Sequence, residues 1–317
     1  MLFNASLGLS LSRSALCKRR LLRLVTVACV VSSFFTTRTS YAQDTGSNAH
    51  ELRDVFIFAG QSNMAGADAI LPSDFRFASS DDNTLYTGGP LPLGSRSPFY
   101  CPWGKMKGHL SSYSHNDKKV SVIGPEVGFA RRLDEARIKN IAIIAAWANF
   151  SKDAEKWPWR DGGELNNTWM AFVDERLAEL RKMGFEPRIQ GFVWHQGIDD
   201  AIHGRLAMSY RENLTALIQT LRKRFHVENA PFLIARSVNS PIARRATGDG
   251  DNAPMGIVRT AQVAIADTVS NAAWINLDDL PNVNRHHFSA ESQIVIGRRF
   301  GEAYLKLIAK QHSANPL

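Results

Sequence analysis

Asp54-Val55-Phe56-Ile57-Phe58-Ala59, running directly into Gly60-Gln61-Ser62-Asn63-Met64, is the stretch on which the fold turns. Its apolar residues follow one another without a polar interruption, so a strand made of them has no face for water. That is the signature of a strand in a parallel sheet covered by helices on both sides. Similar runs recur at Ile141–Trp147, Arg188–Trp194, Pro231–Ala235 and Ala273–Leu277. Between them Met170, Val173, Leu177 and Leu180 recur at spacings of three and four, as do Leu206, Tyr210, Leu214, Leu217, Leu221 and Phe225, each set forming one buried helical stripe. Ser289 as N-cap, Glu291 in the first turn and the stripe Ile296, Phe300, Ala303, Tyr304 and Leu307 predict a closing helix. The pattern predicts an α/β fold of three layers, α/β/α, with a central parallel sheet of about five strands.

One interval breaks the rhythm. Residues 67–123 hold no long periodic segment but many Ser, Gly, Pro and Asp, with Phe75, Phe77, Tyr86, Tyr100, Trp103 and Tyr113 among them. This reads as a long loop insertion whose aromatics either wall a site or pack the insertion onto the scaffold.

The 317 residues are 44% apolar and 21% charged, with 22 Gly and 13 Pro, which excludes a disordered, collagenous or many-span membrane chain. The net charge of +8 suggests nucleic acid until it is located. Arg13, Lys18, Arg19, Arg20, Arg23 and Arg38 all fall in residues 1–42, which hold no acid, so only about +2 is left for the rest. No nucleic-acid partner is expected. The basic cluster, the apolar run Leu24–Phe35 and Ser40-Tyr41-Ala42 predict a signal peptide over 1–42 cleaved near Ala42, hence a secreted or periplasmic protein without an integral membrane domain in its mature form. A polar linker over 43–52, one domain over 53–312 and a tail over 313–317 complete the division. Cys17 and Cys29 leave with the leader, so Cys101 has no disulfide partner in the mature chain and reads as a small packed side chain.

In an open α/β sheet, ligands bind at the carboxyl ends of the strands. Ser62 stands where the first strand should turn into a helix. There its hydroxyl can act as nucleophile and its backbone N–H as an oxyanion donor, although a serine at such a position often only caps. Trp194-His195-Gln196-Gly197-Ile198-Asp199-Asp200 follows the third strand, and Asn284-Arg285-His286-His287-Phe288 precedes the last helix. Each offers an imidazole, and Ser62 with His287 can form a nucleophile and base pair across the fold.

These blocks, with Gly124-Pro125-Glu126 and Gly297-Arg298-Arg299-Phe300, resemble the SGNH (GDSL-like) hydrolases, and within them the sialate O-acetylesterase and carbohydrate esterase family six (acetylxylan esterase-like) group. The resemblance spans most of the mature chain. It implies a flavodoxin-like domain that removes O-acetyl groups from carbohydrates through an acyl-serine intermediate, with no metal or organic cofactor and an acetylated carbohydrate as its partner. It also implies Ser62 as nucleophile, His287 as general base, and the Ser62 N–H and the Gln196 side chain as oxyanion donors. Gln61, Asn63, Gly197, Glu126 and Asp200 complete the expected oxyanion and substrate region.

The chain departs from the family pattern at two acids. Asn284 stands three residues before the histidine where an aspartate is usual, and Ile198 follows Gln-Gly where a glutamate is usual. Asn284 is therefore the expected third member, with Asp278, Asp279, Asp199 and Asp200 as alternatives. Asn149-Phe150-Ser151 replaces a common Gly-Gly pair. Among the other candidates, Glu126 reads as a cap or loop brace, and His195 as a hydrogen-bonded structural residue. Trp157, Trp159 and Trp169 read as sugar platforms or as packing. Arg222-Lys223-Arg224 reads as a solvated face, and Gly248-Asp249-Gly250-Asp251 as a turn. The rival functional readings are a carbohydrate-binding protein whose catalysis has lapsed, suggested by Asn284 and Ile198, and an esterase for non-carbohydrate esters.

Overall fold

The computed structural model describes residues 50–91, 101–106, 108–111, 120–149, 156–202, 204–238, 245, 248–284 and 286–314. The expected leader, residues 43–49 of the linker, Tyr100, Tyr113, Phe150, Ser151, Arg285 and the end of the tail lie outside the described residues, and the last two linker positions, Glu51 and Leu52, already belong to the first strand.

The elements run β1 (Glu51–Gly60), α1 (Ser79–Asp82), β2 (Leu85–Pro90), β3 (Cys101–Lys105), β4 (His109–Ser111), β5 (Val120–Val122), α2 (Glu126–Glu135), β6 (Ile141–Trp147), α3 (Glu164–Lys182), β7 (Phe185–His195), α4 (Ile198–Ile202), α5 (Arg205–Phe225), β8 (Phe232–Ala235), α6 (Pro254–Thr268), β9 (Ala272–Ile275) and α7 (Ala290–Ala314). Seven strands form the main sheet in the order β3-β2-β6-β1-β7-β8-β9. All neighbours pair parallel except β2 with β3. β4 and β5 make a separate antiparallel pair.

The five apolar runs are β1, β6, β7, β8 and β9. The expected count of about five is corrected by β2 and β3, which arise inside the interval read as a loop. Leu85-Tyr86-Thr87-Gly88-Gly89-Pro90 looks like a turn in sequence. It becomes a strand because the exposed edge of β6 offers it a full parallel ladder from Leu85↔Ala142 to Pro90↔Trp147. The aromatics Phe75, Phe77 and Trp103 pack against the core, and Tyr86 is buried within it.

Alternation along the strands divides the core into two layers. Phe56 and Phe58 of β1 meet Phe129 of α2 at 4.9 and 5.2 Å, and Phe56 meets Tyr304 of α7 at 5.0 Å, all edge to face. On the opposite side Trp194 of β7 meets Trp157, Trp159 and Trp169 at 5.1–6.3 Å. The predicted stripes of α3, α5 and α7 point into these layers, with Ala303 and Phe225 half-buried at the margins. The predicted cap is present, Ser289 Oγ accepting the Ser292 N–H at 3.2 Å.

Candidate active site

β1 lies in the middle of the sheet, with β6 on one side and β7 on the other. This reversal of strand order opens a crevice at its carboxyl end. Gly60 closes the strand where a Cβ would sit 2.2 Å from the His195 carbonyl oxygen, so a side chain is excluded by the neighbouring backbone. The chain then winds tightly. Met64 and Ala65 N–H donate to the Gln61 carbonyl at 2.8 and 3.1 Å, and Ala67 N–H donates to the Ser62 carbonyl at 2.9 Å. Gly66 (φ +67°) and Asp68 (φ +61°) adopt left-handed backbone to complete the turn.

The opposing loop is equally pinned. Asn282 and Phe288 form an antiparallel bridge, Val283 N–H donates to the His287 carbonyl at 2.9 Å, and Phe288 is buried as an anchor. Asn63 Nδ2 donates to the His286 carbonyl at 2.9 Å, tying this loop to the serine turn. The two turns bring His287 Nε2 to 2.9 Å from Ser62 Oγ, across 225 positions of sequence. On the other side of the ring, Nδ1 lies 2.6 Å from Asp68 Oδ2 and 3.2 Å from Asn284 Nδ2. The Ser62 N–H has no acceptor among the described residues.

The carboxylate on the imidazole is thus Asp68, which the sequence reading did not single out. Asn284 does reach the ring, but through its amide. The four alternative acids are committed elsewhere or set apart. Asp278 holds Arg259 through two bonds of 2.9 and 2.8 Å together with Arg236, and Asp279 holds Arg299 at 2.7 Å. Asp200 is held by Gln196 Nε2, and Asp199 lies in the first turn of α4. His286 packs beside His287 with ring centroids 4.4 Å apart, and it is His287 that faces Ser62.

Several other candidates make hydrogen bonds or close contacts that hold the turns together. Gln61 Oε1 accepts the Gly197 and Ile198 N–H groups at 2.9 and 3.0 Å, which holds the start of α4. Gly197 (φ +146°) leaves room for Ser237, Val258 and Gln262, each within 3.0 Å of where a Cβ would stand. Glu126 folds back so that Oε1 accepts the Gly124 N–H at 3.0 Å, a loop brace. Gln196 spends a side-chain amide hydrogen on Asp200, and its backbone carbonyl accepts from Tyr210 and Gln262, both at 2.9 Å.

Burial governs the charge states. Asp200 is fully buried, and desolvation, with the charge of Asp199 behind it, pushes its carboxyl up to about 8. His195 was expected to be hydrogen-bonded. Instead neither ring nitrogen has a partner among the described residues, and burial, aided by His287, lowers its pKa to about 3. The three tryptophans offered as platforms are buried, so they pack and present no face to a sugar. Arg222 is likewise no solvated residue, since its guanidinium donates to the Ala230 and Asn271 carbonyls, while Lys223 and Arg224 are exposed. The Cys101 thiol donates to the Gly88 carbonyl at 3.3 Å and is pushed up by burial, unlike a reactive thiolate. Among the described residues no group of three or more His, Cys, Asp or Glu is placed to hold a metal ion, and no helix is long and apolar enough to cross a membrane.

Residues 52–306 match the model of a family described as carbohydrate esterase, sialic acid-specific acetylesterase. The chain is 27% identical over 253 residues to a probable carbohydrate esterase of Arabidopsis thaliana, covering 79% of this chain and 90% of that protein. Its fold is similar to the crystal structure of an Arabidopsis thaliana protein, with a TM-score of 0.55, 22% identity and coverage of 80% and 98% of the two chains. It is also similar to that of NanS, with a TM-score of 0.57, 16% identity and coverage of 82% and 99%.

Proposed function

This chain belongs to the carbohydrate esterase, sialic acid-specific acetylesterase family and is a carboxylic ester hydrolase; from that premise we propose that it is an exported enzyme that removes O-acetyl groups from a carbohydrate by way of an acetyl-Ser62 intermediate. The observation that carries the reading is the 2.9 Å contact between Ser62 Oγ and His287 Nε2 at the carboxyl end of the central strand. Export rests on the basic, apolar and small-residue order of the first 42 residues.

In the proposed reaction, Ser62 Oγ attacks the acetyl carbonyl carbon as Nε2 takes the hydroxyl proton. The Ser62 N–H, which has no acceptor among the described residues, faces the developing oxyanion. The C–O bond to the sugar breaks, and His287 returns the proton to the departing sugar oxygen. Water, deprotonated by the same nitrogen, then attacks the acetyl-serine and releases acetate, regenerating the Ser62 hydroxyl.

Ser62→Ala tests this directly. It should lower hydrolysis of p-nitrophenyl acetate and of acetylated xylan by at least about 10³-fold, with circular dichroism unchanged. Mass spectrometry of the parent protein treated with a fluorophosphonate should place the adduct on Ser62. Parent-like turnover in the alanine variant removes the reading, whereas glycan binding without turnover in the parent favours the lapsed-catalysis alternative. A panel of acetylated sugars, glycans and simple alcohols separates the substrate classes.

A further inference from the structure

We propose that Asp68, carried on the same turn as the nucleophile, is the positioning residue that fixes the tautomer of His287, and that Asn284 is a crossbar holding the two together. This rests on the Ser62–His287 reading above. Nδ1 of His287 has two polar neighbours, Asp68 Oδ2 at 2.6 Å and Asn284 Nδ2 at 3.2 Å. Only one of them can accept a proton. Asn284 Oδ1 already accepts the His286 and His287 N–H groups at 3.2 and 3.0 Å, which occupies both lone pairs of that oxygen. Exchanging its oxygen and nitrogen would turn an NH2 toward two N–H donors. The amide nitrogen therefore faces the ring, and a nitrogen bearing two hydrogens cannot take the proton of Nδ1.

The acceptor is then the Asp68 carboxylate, and its side chain and that of His287 are only 10% and 14% exposed. With Nδ1 protonated, Nε2 carries the lone pair that faces the Ser62 hydroxyl, which is the form a general base requires. The second donor on Asp68 Oδ2 is Asn284 Nδ2, so the amide braces the carboxylate that it cannot replace. The acid thus comes from 219 positions away in sequence, not from three. Asp68 also lies in left-handed backbone (φ +61°), a region that Asp and Asn occupy more readily than other non-glycine residues, so an asparagine there keeps the turn.

The test is Asp68→Asn in the full chain, assayed beside Ser62→Ala. Asp68→Asn should lower kcat by about 10²–10⁴-fold through the wrong tautomer, while KM stays within about threefold. Asp68→Asn/Asn284→Asp, which moves the carboxylate across the bridge, should recover at least about tenfold of the lost kcat. In the parent protein, nitrogen-15 NMR of labelled histidine at neutral pH should show His287 protonated at Nδ1, with a strongly deshielded proton that disappears in Asp68→Asn. A parent-like kcat in Asp68→Asn, with Ser62→Ala inactive, overturns the role of Asp68 and leaves the serine mechanism standing. An active Ser62→Ala overturns the reading beneath it. If Asp68→Asn does not fold, the parent spectrum decides, because His287 protonated at Nε2 alone contradicts the proposal.

Discussion

Two buried side chains behind the serine, His195 and Asp200, pull stability in opposite directions with pH. Asp200 keeps its proton in the fold up to about 8, whereas the unfolded carboxyl loses it near its ordinary 3.8. Across that window the native state holds the extra proton, so raising the pH favours unfolding. His195 stays neutral in the fold down to about 3, while the unfolded imidazole takes up a proton below 6.5. Lowering the pH below 6.5 therefore also favours unfolding. Between 3.8 and 6.5 the two contributions oppose each other proton for proton; above 6.5 Asp200 stands alone. The parent protein should then lose on the order of 2 kcal/mol between pH 6.5 and 8 through this group. Asp200→Asn should abolish that loss and expose the rise toward pH 6.5 due to His195. Urea midpoints at pH 5, 6.5 and 8 report both, and a parent midpoint flat from 6.5 to 8 would show Asp200 ionised in the fold.

At the same scale, Ser62 and His287 were readable because each stands where a strand or helix boundary concentrates chemistry. Asp68 was not. It sits six residues past the serine, and nothing in the linear order shows that Gly66 and Asp68 both take positive φ and fold the carboxylate back to the ring. The departure at Asn284 was the available signal, since a missing acid implies a replacement elsewhere, but it gave no address.

At the scale of elements, His287 is positioned by the crossing of α2 and α7. A Cβ at Gly297 would stand 1.9 Å from the Pro125 carbonyl oxygen, and one at Gly128 would stand 2.0 Å from that of Ile294. The helices thus touch backbone to backbone, and α7 begins at Ala290, just beyond His287 and its anchor Phe288. Gly297→Ala must part them, costing about 1–3 kcal/mol by overpacking and shifting His287 enough to lower kcat by up to about 10²-fold. Gly104→Ala is the control, because nothing lies within 4 Å of its Cβ position, and its effect should stay within about 0.5 kcal/mol. Denaturant midpoints and kcat for the pair separate a glycine held at close backbone approach from one with open space at its Cβ position. Elements with a strong internal period were legible from sequence, as the stripes of α3, α5 and α7 show. β2 was hidden because Gly88-Gly89-Pro90 reads as a turn until β6 supplies its partner. α6 was missed because its buried positions include the polar Gln262, whose amide serves Ser237, Tyr210 and the Gln196 carbonyl.

For the whole molecule, the question left open by sequence was whether the tryptophans serve the substrate or the core. The sheet answers it by geometry. Ser62 follows the central strand, and Trp157, Trp159 and Trp169 close around Trp194 within the core on one face of β7, where they are shielded from solvent. Trp159 meets Trp169 at 5.6 Å and Trp194 at 5.1 Å, both edge to face, an arrangement whose worth is packing. Truncating it leaves a void that the surrounding rings cannot close. Trp159→Ala should therefore cost about 3–5 kcal/mol of stability, with Trp159→Leu retaining part of it. In the folded fraction of either variant, KM for an acetylated glycan should stay within about twofold of the parent, because a uniform loss of substrate contacts raises KM. Midpoints in urea and KM measured well below the transition test this together. A raised KM at unchanged stability would return these rings to the substrate, and with them a binding surface on the side of the sheet now assigned to its core.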